Sequence, residues 1–393
     1  MTIFHKFPVP SSRLFVWVLT PSSKIKQEWM EAFHTQSFEQ EMIDVFSELG
    51  VPWKRQSVSL ENMHDVVEKI AVSTPELIPV VLNYCDGLDE IDECPGVSLI
   101  KLLEAKGIIF VGADSIFDSF NTNKISLKHA LSEARIATAP YEVIYDFNNV
   151  EGVCDRLGTP LIVKPAVLSG GSYGLSLNSV VYSDEQIGAQ VKCLIEKNHG
   201  GMLLSSDSIF VESFINGSEF TVFVIGSYQQ PEKIKIYPPL EIIFNTDLPE
   251  TEQFLSHDRY WGKDEGKTSW KREKPFIRHK IVNPELRERL CDLAKGAYCA
   301  VSGNGYGRVD IRMDKLSKEL FVLEVNANCA ISSKPFSTFS DPLETPVGTI
   351  LHLAGVPFAQ LMSEIITEAF ARCYIKSSPL NKNESKLVSQ RTE

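Results

Sequence analysis

The stretch 305–330, GYGRVDIRMDKLSKELFVLEVNANCA, constrains this chain more than any other. Two β-rich runs, 308–313 and 320–325, flank a polar turn at 314–318. Their apolar residues alternate or cluster as buried antiparallel strands require, which predicts a hairpin. Asp310 lies in the first strand, and Glu324 and Asn326 lie at the end of the second. Side chains two apart on a strand share a face. Glu324 and Asn326 therefore point the same way, and strand pairing can bring Asp310 beside them. Two carboxylates and an amide oxygen are hard ligands that suit Mg²⁺ shared with nucleotide phosphates. Arg308, two before Asp310, can face the same site as a charge clamp. A salt-bridged hairpin with solvated acids would show the same D-x13-E-x-N spacing, so the flanking sequence has to decide.

At 393 residues the chain can build two or three packed units. Its net charge of −12 leaves no excess of Lys and Arg to neutralise phosphates, which excludes a general nucleic-acid or anionic-membrane binder. The eight cysteines show no C-x-x-C and no metal-ligand spacing, so they read as reduced small residues of a cytoplasmic protein. No histidine has metal-ligand spacing either. The N-terminal residues carry no secretory pattern, and no apolar run approaches 18 residues.

Alternating strand and helix patterns fill the first part of the chain. Strands are predicted at 14–19, 78–82 and 108–111, and helices at 27–49 and 97–105, which argues a parallel α/β unit closing near residue 120. A helix follows at 122–134 with Lys124 and Lys128 one turn apart, then strands at 141–144 and 161–164 and a helix at 186–197. The runs 209–214 and 220–225 read as a strand pair turning at Asn216-Gly217. Residues 245–275 read as a long loop or lid, 286–302 as a helix, 336–346 as irregular and 356–372 as a closing amphipathic helix. The acidic run 86–93 reads as solvated, in a loop near the cleft. Residues 376–393 are polar and predict a disordered tail.

Lys164 ends a strand and precedes the loop 169–174, SGGSYG. Its glycines let backbone N–H groups approach phosphate oxygens, with Gly170, Gly171 and Ser172 at the point of contact and the lysine acting as a point charge. The loop matches neither a P-loop nor a dinucleotide fingerprint, and a flexible turn would read the same way. In VESFINGSEF, 211–220, the backbone of Glu212, Ser213, Phe214 and Ile215 could hold a base edge, and Glu219 could accept from ribose hydroxyls. An ordinary hairpin with an exposed acid is the plain alternative.

In order, Lys124, Lys164, the Gly-rich loop, Glu212-x6-Glu219, Arg308-x-Asp310 and Glu324-x-Asn326 resemble an ATP-grasp enzyme, most of all the D-alanine–D-alanine ligase group of carboxylate–amine ligases. The resemblance covers roughly 80–372 and rests on LLEAKGIIFVGAD, KPA with its loop, VESFINGSEFTV, GYGRVDIRMD and LEVNAN. It implies an α/β fold in three units. These are an N-terminal parallel domain at 1–120, a central small domain at 121–207, and a C-terminal domain at 208–375 whose antiparallel sheet clamps ATP against that of the central one. It also implies roles. Lys124, Lys164 and the Gly170–Ser172 backbone touch ATP phosphates, Glu212 to Ile215 hold the adenine, and Glu219 holds the ribose. Asp310, Glu324 and Asn326 bind Mg²⁺, with Mn²⁺ an admissible substitute. Arg308, Ser172 and the Ala330 amide serve the reacting centre. A substrate carboxylate would take the γ-phosphate of ATP, and an amine would then displace phosphate from the acyl phosphate. The implied partners are a small acid and a small amine, without nucleic acid or membrane, and the family admits a homodimer.

The substrate half departs from that pattern. NANCAISSKP replaces the family's Pro-Gly-Met-Thr stretch, so Ala330 stands for a glycine, Pro335 stands near the expected serine, and Ser332 and Ser333 are the nearby substitutes. Asn123 replaces an aspartate, no clear glutamate for the first substrate's amino group is present, and the lid offers Tyr260, Trp261, Lys263, Lys267 and His257 in place of the usual triplet. Two other readings stay open at this point. A nucleotide-binding regulator would bind ATP without turnover, and a kinase-like phosphotransferase would form ADP without consuming an amine.

Overall fold

The computed structural model describes residues 7–24, 28–72, 76–167, 175–196, 204–205, 208–255, 276–336, 341 and 343–377. In the N-terminal part, β1 (Leu14–Pro21), β2 (Trp53–Val58), β3 (Ile78–Asn83) and β4 (Ile109–Val111) form a parallel sheet ordered β2-β1-β3-β4. β1 and β3 are continuous apolar runs because helices cover both of their faces. The helices are α1 (Gln36–Leu49), α2 (Met63–Ala71) and α3 (Val97–Ala105). The helix predicted over 27–49 is broken. A 3-10 turn, Glu28–His34, comes first, and Thr35 then caps α1 by accepting the Phe38 amide at 3.2 Å. Apolar periodicity runs through that break and hides it.

Two helices lead into the second sheet: α4 (Ser115–Asn121), capped by Asp114, and α5 (Lys124–Glu133), capped by Asn123. That sheet holds β5 (Tyr141–Val143), β6 (Leu161–Pro165), β7 (Val180–Val181) and β8 (Ile209–Ser213), ordered β5-β8-β6-β7, with α6 (Val153–Leu157) and α7 (Asp184–Glu196). All its pairings are antiparallel.

The third sheet runs β12-β11-β9-β13-β14 and is antiparallel throughout. Its strands are β9 (Gly217–Ser227), β11 (Leu240–Phe244), β12 (Ile277–Ile281), β13 (Asn304–Asp314) and β14 (Leu320–Ala327), and the short β10 (Lys235–Ile236) also pairs with β9. The strand pair predicted around Asn216-Gly217 does not exist. β8 belongs to the second sheet and β9 to the third, so this segment carries the chain from one sheet to the other. Gly217, at φ +152°, passes so close to β13 that a Cβ there would lie 2.0 Å from the Met313 carbonyl oxygen.

Helix α8 (Pro284–Ala300) packs on one face of the third sheet through Leu290, Ala294, Ala297 and Tyr298, against Val222, Val224, Val309, Ile311 and Val322. Part of the other face, with Phe223, Ile225 and Tyr306, joins α1, β1, α9 (Pro346–Ala354) and α10 (Phe358–Ser377) in one apolar core. That shared core fixes the N-terminal sheet against the third. Arg372 on α10 strengthens the contact by donating to the Phe110 carbonyl at 2.8 Å. Helix α10 extends through Ser377, and the remainder of the predicted tail lies outside the described residues. Among the described residues no single helix is long and apolar enough to cross a membrane. Helices α9 and α10 would pass only together, and they meet at 113°.

Candidate active site between the two antiparallel sheets

A β-bulge determines which residues face the cleft. Asp310 pairs with Glu324, but the next residue, Ile311, pairs with Val322. Leu323 is therefore an extra residue in β14. It shifts the alternation, so Leu320 and Val322 before it and Val325 and Ala327 after it all enter the core under α8. Glu324 and Asn326 are left on the opposite face, beside Asp310. Arg308 sits directly across from Asn326, Thr221 across from Asp310, and Glu219 across from Arg312. One sheet face thus presents Glu219, Thr221, Arg308, Asp310, Arg312, Glu324 and Asn326.

These side chains are bonded to one another. Arg308 grips Asp310 with two nitrogens, Nε to Oδ1 at 2.9 Å and Nη2 to Oδ2 at 2.8 Å. Thr221 Oγ1 donates to Asp310 Oδ1 at 2.6 Å, and Asn326 Nδ2 donates to Asp310 Oδ2 at 2.8 Å and Glu324 Oε1 at 3.3 Å. Lys124, from the first turn of α5, reaches Glu324 Oε2 at 3.3 Å. Burial would raise the Glu324 carboxyl, but Lys124, Arg308 and Lys164 overcome it and hold the group down at about 2. Glu324 is a permanent carboxylate at neutral pH.

Across the cleft, the second sheet offers a buried cationic pair. Lys128 Nζ and Lys164 Nζ each lie 2.5 Å from a different oxygen of Glu212. Burial opposes the charge on Glu212, yet the two ammoniums keep its carboxyl below the ordinary range. The segment between the sheets is fixed by Arg312. Its Nε lies 3.1 Å from Glu219 Oε2, its Nη1 donates to the Ile215 carbonyl at 3.0 Å, and its guanidinium lies 5.0 Å from the Phe214 ring. The Ser213 and Phe214 amides donate to Pro140 and Pro160 carbonyls. The Ile215 amide has no acceptor among the described residues.

A cavity of about 390 Å³ joins these groups and continues to the N-terminal sheet. Lys164, Glu212, Phe214, Ile215 and Glu219 line one end. Arg308, Asp310, Glu324 and Asn326 line the middle, and Tyr84, Asp86, Trp29 and Phe33 line the far end. Ala330 lines it too, with no acceptor for its N–H among the described residues. Of the predicted site residues, Lys124, Lys164, Glu212, Ser213, Phe214, Ile215, Glu219, Arg308, Asp310, Glu324, Asn326 and Ala330 all border this one space. Gly170, Gly171 and Ser172, and the lid candidates His257, Tyr260, Trp261, Lys263 and Lys267, lie outside the described residues. Ser332 also lines the cavity, but its hydroxyl and that of Ser333 are engaged. Both hydroxyls donate to Glu41 Oε1 on α1, at 2.7 and 2.6 Å.

Lys128, Arg312 and Thr221 were not picked out by the sequence reading. Arg312 had a signal, since 308, 310 and 312 must share a face of one strand. Lys128 had a weaker one, its place one helical turn from Lys124. Among the described residues no three His, Cys, Asp or Glu converge as metal ligands. The available set is two carboxylates and an amide, now neutralised by Arg308 and Lys124. It fits a hard divalent cation once the Asn326 amide is turned to present its oxygen.

An N-terminal parallel sheet followed by two antiparallel sheets, with a polar cleft between them, defines the ATP-grasp architecture, and the class is that of the ATP-dependent carboxylate–amine ligases. Residues 131–367 match the family model described as D-ala D-ala ligase C-terminus, so the chain belongs to that family. The D-alanine–D-alanine ligase of Desulforudis audaxviator is 26% identical over 277 residues, covering 69% of this chain and 76% of that protein. That of Geobacter sulfurreducens is 27% identical over 225 residues, 57% of this chain and 60% of its own length. The structure of the Bacillus anthracis D-alanine–D-alanine ligase complexed with ATP matches 93% of this chain and 99% of that one, with a TM-score of 0.62 and 18% identity. Membership does not favour the regulatory or phosphotransferase readings.

Proposed function

We propose that this chain joins the carboxylate of one small molecule to the amine of another, with amino acids or related metabolites as substrates, and that ADP and phosphate are released. The observation that carries the reading is the pairing of Asp310 with Glu324, and Asn326 beside them, in the cavity that also contains Lys164 and the Ile215 amide. The Ile215 amide and the neighbouring carbonyls suit an adenine edge, and Glu219 Oε1, the oxygen not facing Arg312, suits a ribose hydroxyl. Lys164 and Lys124 attract phosphate oxygens, joined by the backbone of Gly170, Gly171 and Ser172. Asp310, Glu324 and Asn326 would hold Mg²⁺, or Mn²⁺ in its place. The cation would supply charge neutralisation between the phosphates and the incoming carboxylate.

In the reaction, a carboxylate oxygen bonds to the γ-phosphorus as the bond to the β-γ bridging oxygen breaks. Arg308 orients that carboxylate and offsets the charge on the transferring group. The neutral amine then adds to the acyl carbon, the Ala330 amide donates to the oxyanion, and phosphate leaves with the C–O electron pair and takes up the proton that the nitrogen sheds. The cytoplasm, where thiols stay reduced, suits the eight unbridged cysteines. A homodimer, which the family admits, is read by analytical ultracentrifugation.

The test is phosphate release from Mg-ATP across a matrix of acids and amines, with Glu324→Gln as the blank. Release that needs both an acid and an amine supports ligation. ADP formation from an acid alone, with a stable phosphorylated product, would replace this reading by a phosphotransferase.

A further inference from the structure

The far end of the cavity has a composition that the ATP reading does not use. Trp29, Phe33, Phe38 and Tyr84 all line it. They form one cluster, with Phe33 at 6.2 Å from Trp29 and 5.3 Å from both Phe38 and Tyr84. The Tyr84 hydroxyl is buried and has no partner among the described residues.

Beside this cluster stands Asp86. The two other aspartates of its loop are committed to the backbone. Asp89 accepts the Gly96 and Ser98 amides, and Asp92 accepts those of Leu88 and Cys94. Asp86 lines the cavity, and burial, with the acids Asp118 and Asp92 nearby, pushes its carboxyl well above the ordinary range, so the protonated acid is favoured until a cation joins it. No cation among the described residues offsets them. The Cys329 thiol is within electrostatic reach of Arg308, Asp310 and Asp86 alike. The space is therefore lined by the Arg308 guanidinium, which now grips Asp310, by a buried acid that an incoming ammonium would ionise, and by an aromatic wall.

We propose that the substrate held at this end is an α-amino acid with a large apolar or aromatic side chain, its ammonium against Asp86 and its side chain among Trp29, Phe33 and Tyr84. The proposal rests on the ligase reading for the fate of the carboxylate, while binding itself does not depend on it. An ammonium beside Asp86 would favour loss of the carboxyl proton to water and then pair with the carboxylate, and the aromatic faces reward both apolar area and a nearby positive charge. An alanine-sized side chain would leave the Trp29–Phe33 wall without contact.

Two measurements test it together. The first is calorimetric titration of each enantiomer of phenylalanine and alanine into protein loaded with Mg²⁺ and a non-hydrolysable ATP analogue. The second is phosphate release with the same amino acids, using hydroxylamine as the trapping amine. One enantiomer of phenylalanine should bind about tenfold or more tighter than alanine, the scale of discrimination that apolar pockets reach. Trp29→Ala should erase that preference with ATP affinity unchanged. Asp86→Asn should weaken phenylalanine about tenfold and leave 3-phenylpropanoate, which lacks the ammonium, unaffected. Equal or tighter binding of alanine, no binding of either, or an Asp86→Asn effect equal on both phenyl compounds would overturn the proposal. Phosphate release with alanine but not phenylalanine would sink it while sparing the ligase. Phenylalanine binding without release under any combination would instead sink the ligase reading and spare the pocket.

Discussion

Replacing Glu212 by Gln isolates what the buried charge cluster of the second sheet contributes. Lys128 is about 1% exposed, and its ammonium has Glu212 as its only anionic partner among the described residues. It also donates to Thr138 Oγ1 at 2.9 Å and the Ala139 carbonyl at 3.4 Å, and lies over the Tyr141 and Phe210 rings. Removing the carboxylate leaves this charge buried with neutral acceptors only, which typically costs about 3–5 kcal/mol. Burial already lowers the Lys128 pKa, so the lysine can shed its proton, and the cost should fall near the lower end, about 3 kcal/mol. The double variant Lys128→Met/Glu212→Leu removes both buried charges and leaves Lys164, at 15% exposed, free to reach water or phosphate. It should recover to within about 1 kcal/mol of wild type, because well-packed apolar replacements of buried ion pairs are often neutral. A chain of several units need not unfold in two states. The assay is therefore native-state hydrogen exchange of the β5, β6 and β8 amides, read as a local opening free energy. A loss below about 1 kcal/mol in Glu212→Gln, or a double variant no better than the sum of the singles, would refute the reasoning.

Three further outcomes are expected. Glu324→Gln should lower turnover at least about 10²-fold while circular dichroism and the thermal midpoint stay within error, and wild-type activity in that variant would remove Glu324 from the site. Chelation by EDTA should abolish phosphate release, Mg²⁺ or Mn²⁺ should restore it, and Ca²⁺, whose preferred coordination is larger and looser, should restore much less. The third concerns pH. Asp118 is 3% exposed, and burial pushes its carboxyl up to about 7 from an ordinary 3.8. Between those values the native state keeps a proton that the unfolded chain has lost, so this group favours folding at low pH, and its contribution is lost as pH rises through 7. The loss is at most about 4 kcal/mol by pH 8. Urea titrations at pH 5 and pH 8 should show Asp118→Asn with a flatter pH dependence than wild type, and identical slopes would refute it.

The hairpin of β13 and β14 was legible because two signals agreed there. Period-2 apolar residues gave the strands, and acids and an amide broke the pattern on one face only. The parity change at Leu323 was also written in the sequence, as L-x-V-x-E-V-x-A, although a bulge is not recognised from such a run without its partner strand. The crossing between sheets at Asn216-Gly217 was misread as a hairpin because Asn-Gly signals tolerance of unusual backbone angles, and a chain needs that tolerance equally to pass close to a neighbouring strand. β2 is not legible because an edge strand such as WKRQSV is mostly polar, only partly buried, and carries no apolar alternation. Lys128 and Arg312 were hidden for another reason. A charged residue announces a surface, and its burial depends on a partner, here Glu212 or Glu219, that lies far along the chain.

The bulge at Leu323 also bears on how such a chain can change over time. Deleting Leu323 itself would only straighten the strand and leave Asp310 opposite Glu324, but deleting Val325 would exchange the two faces of β14 beyond the lesion, sending Asn326 into the apolar layer beneath α8 and Ala327 toward the cleft. Loss of the site and loss of the core would arrive in a single event. Away from Leu323, drift in this hairpin is therefore confined to substitution at constant length. Novelty in what the enzyme accepts has to come from the parallel-sheet unit, where the loop bearing Asp86 can lengthen or shorten without turning any strand over.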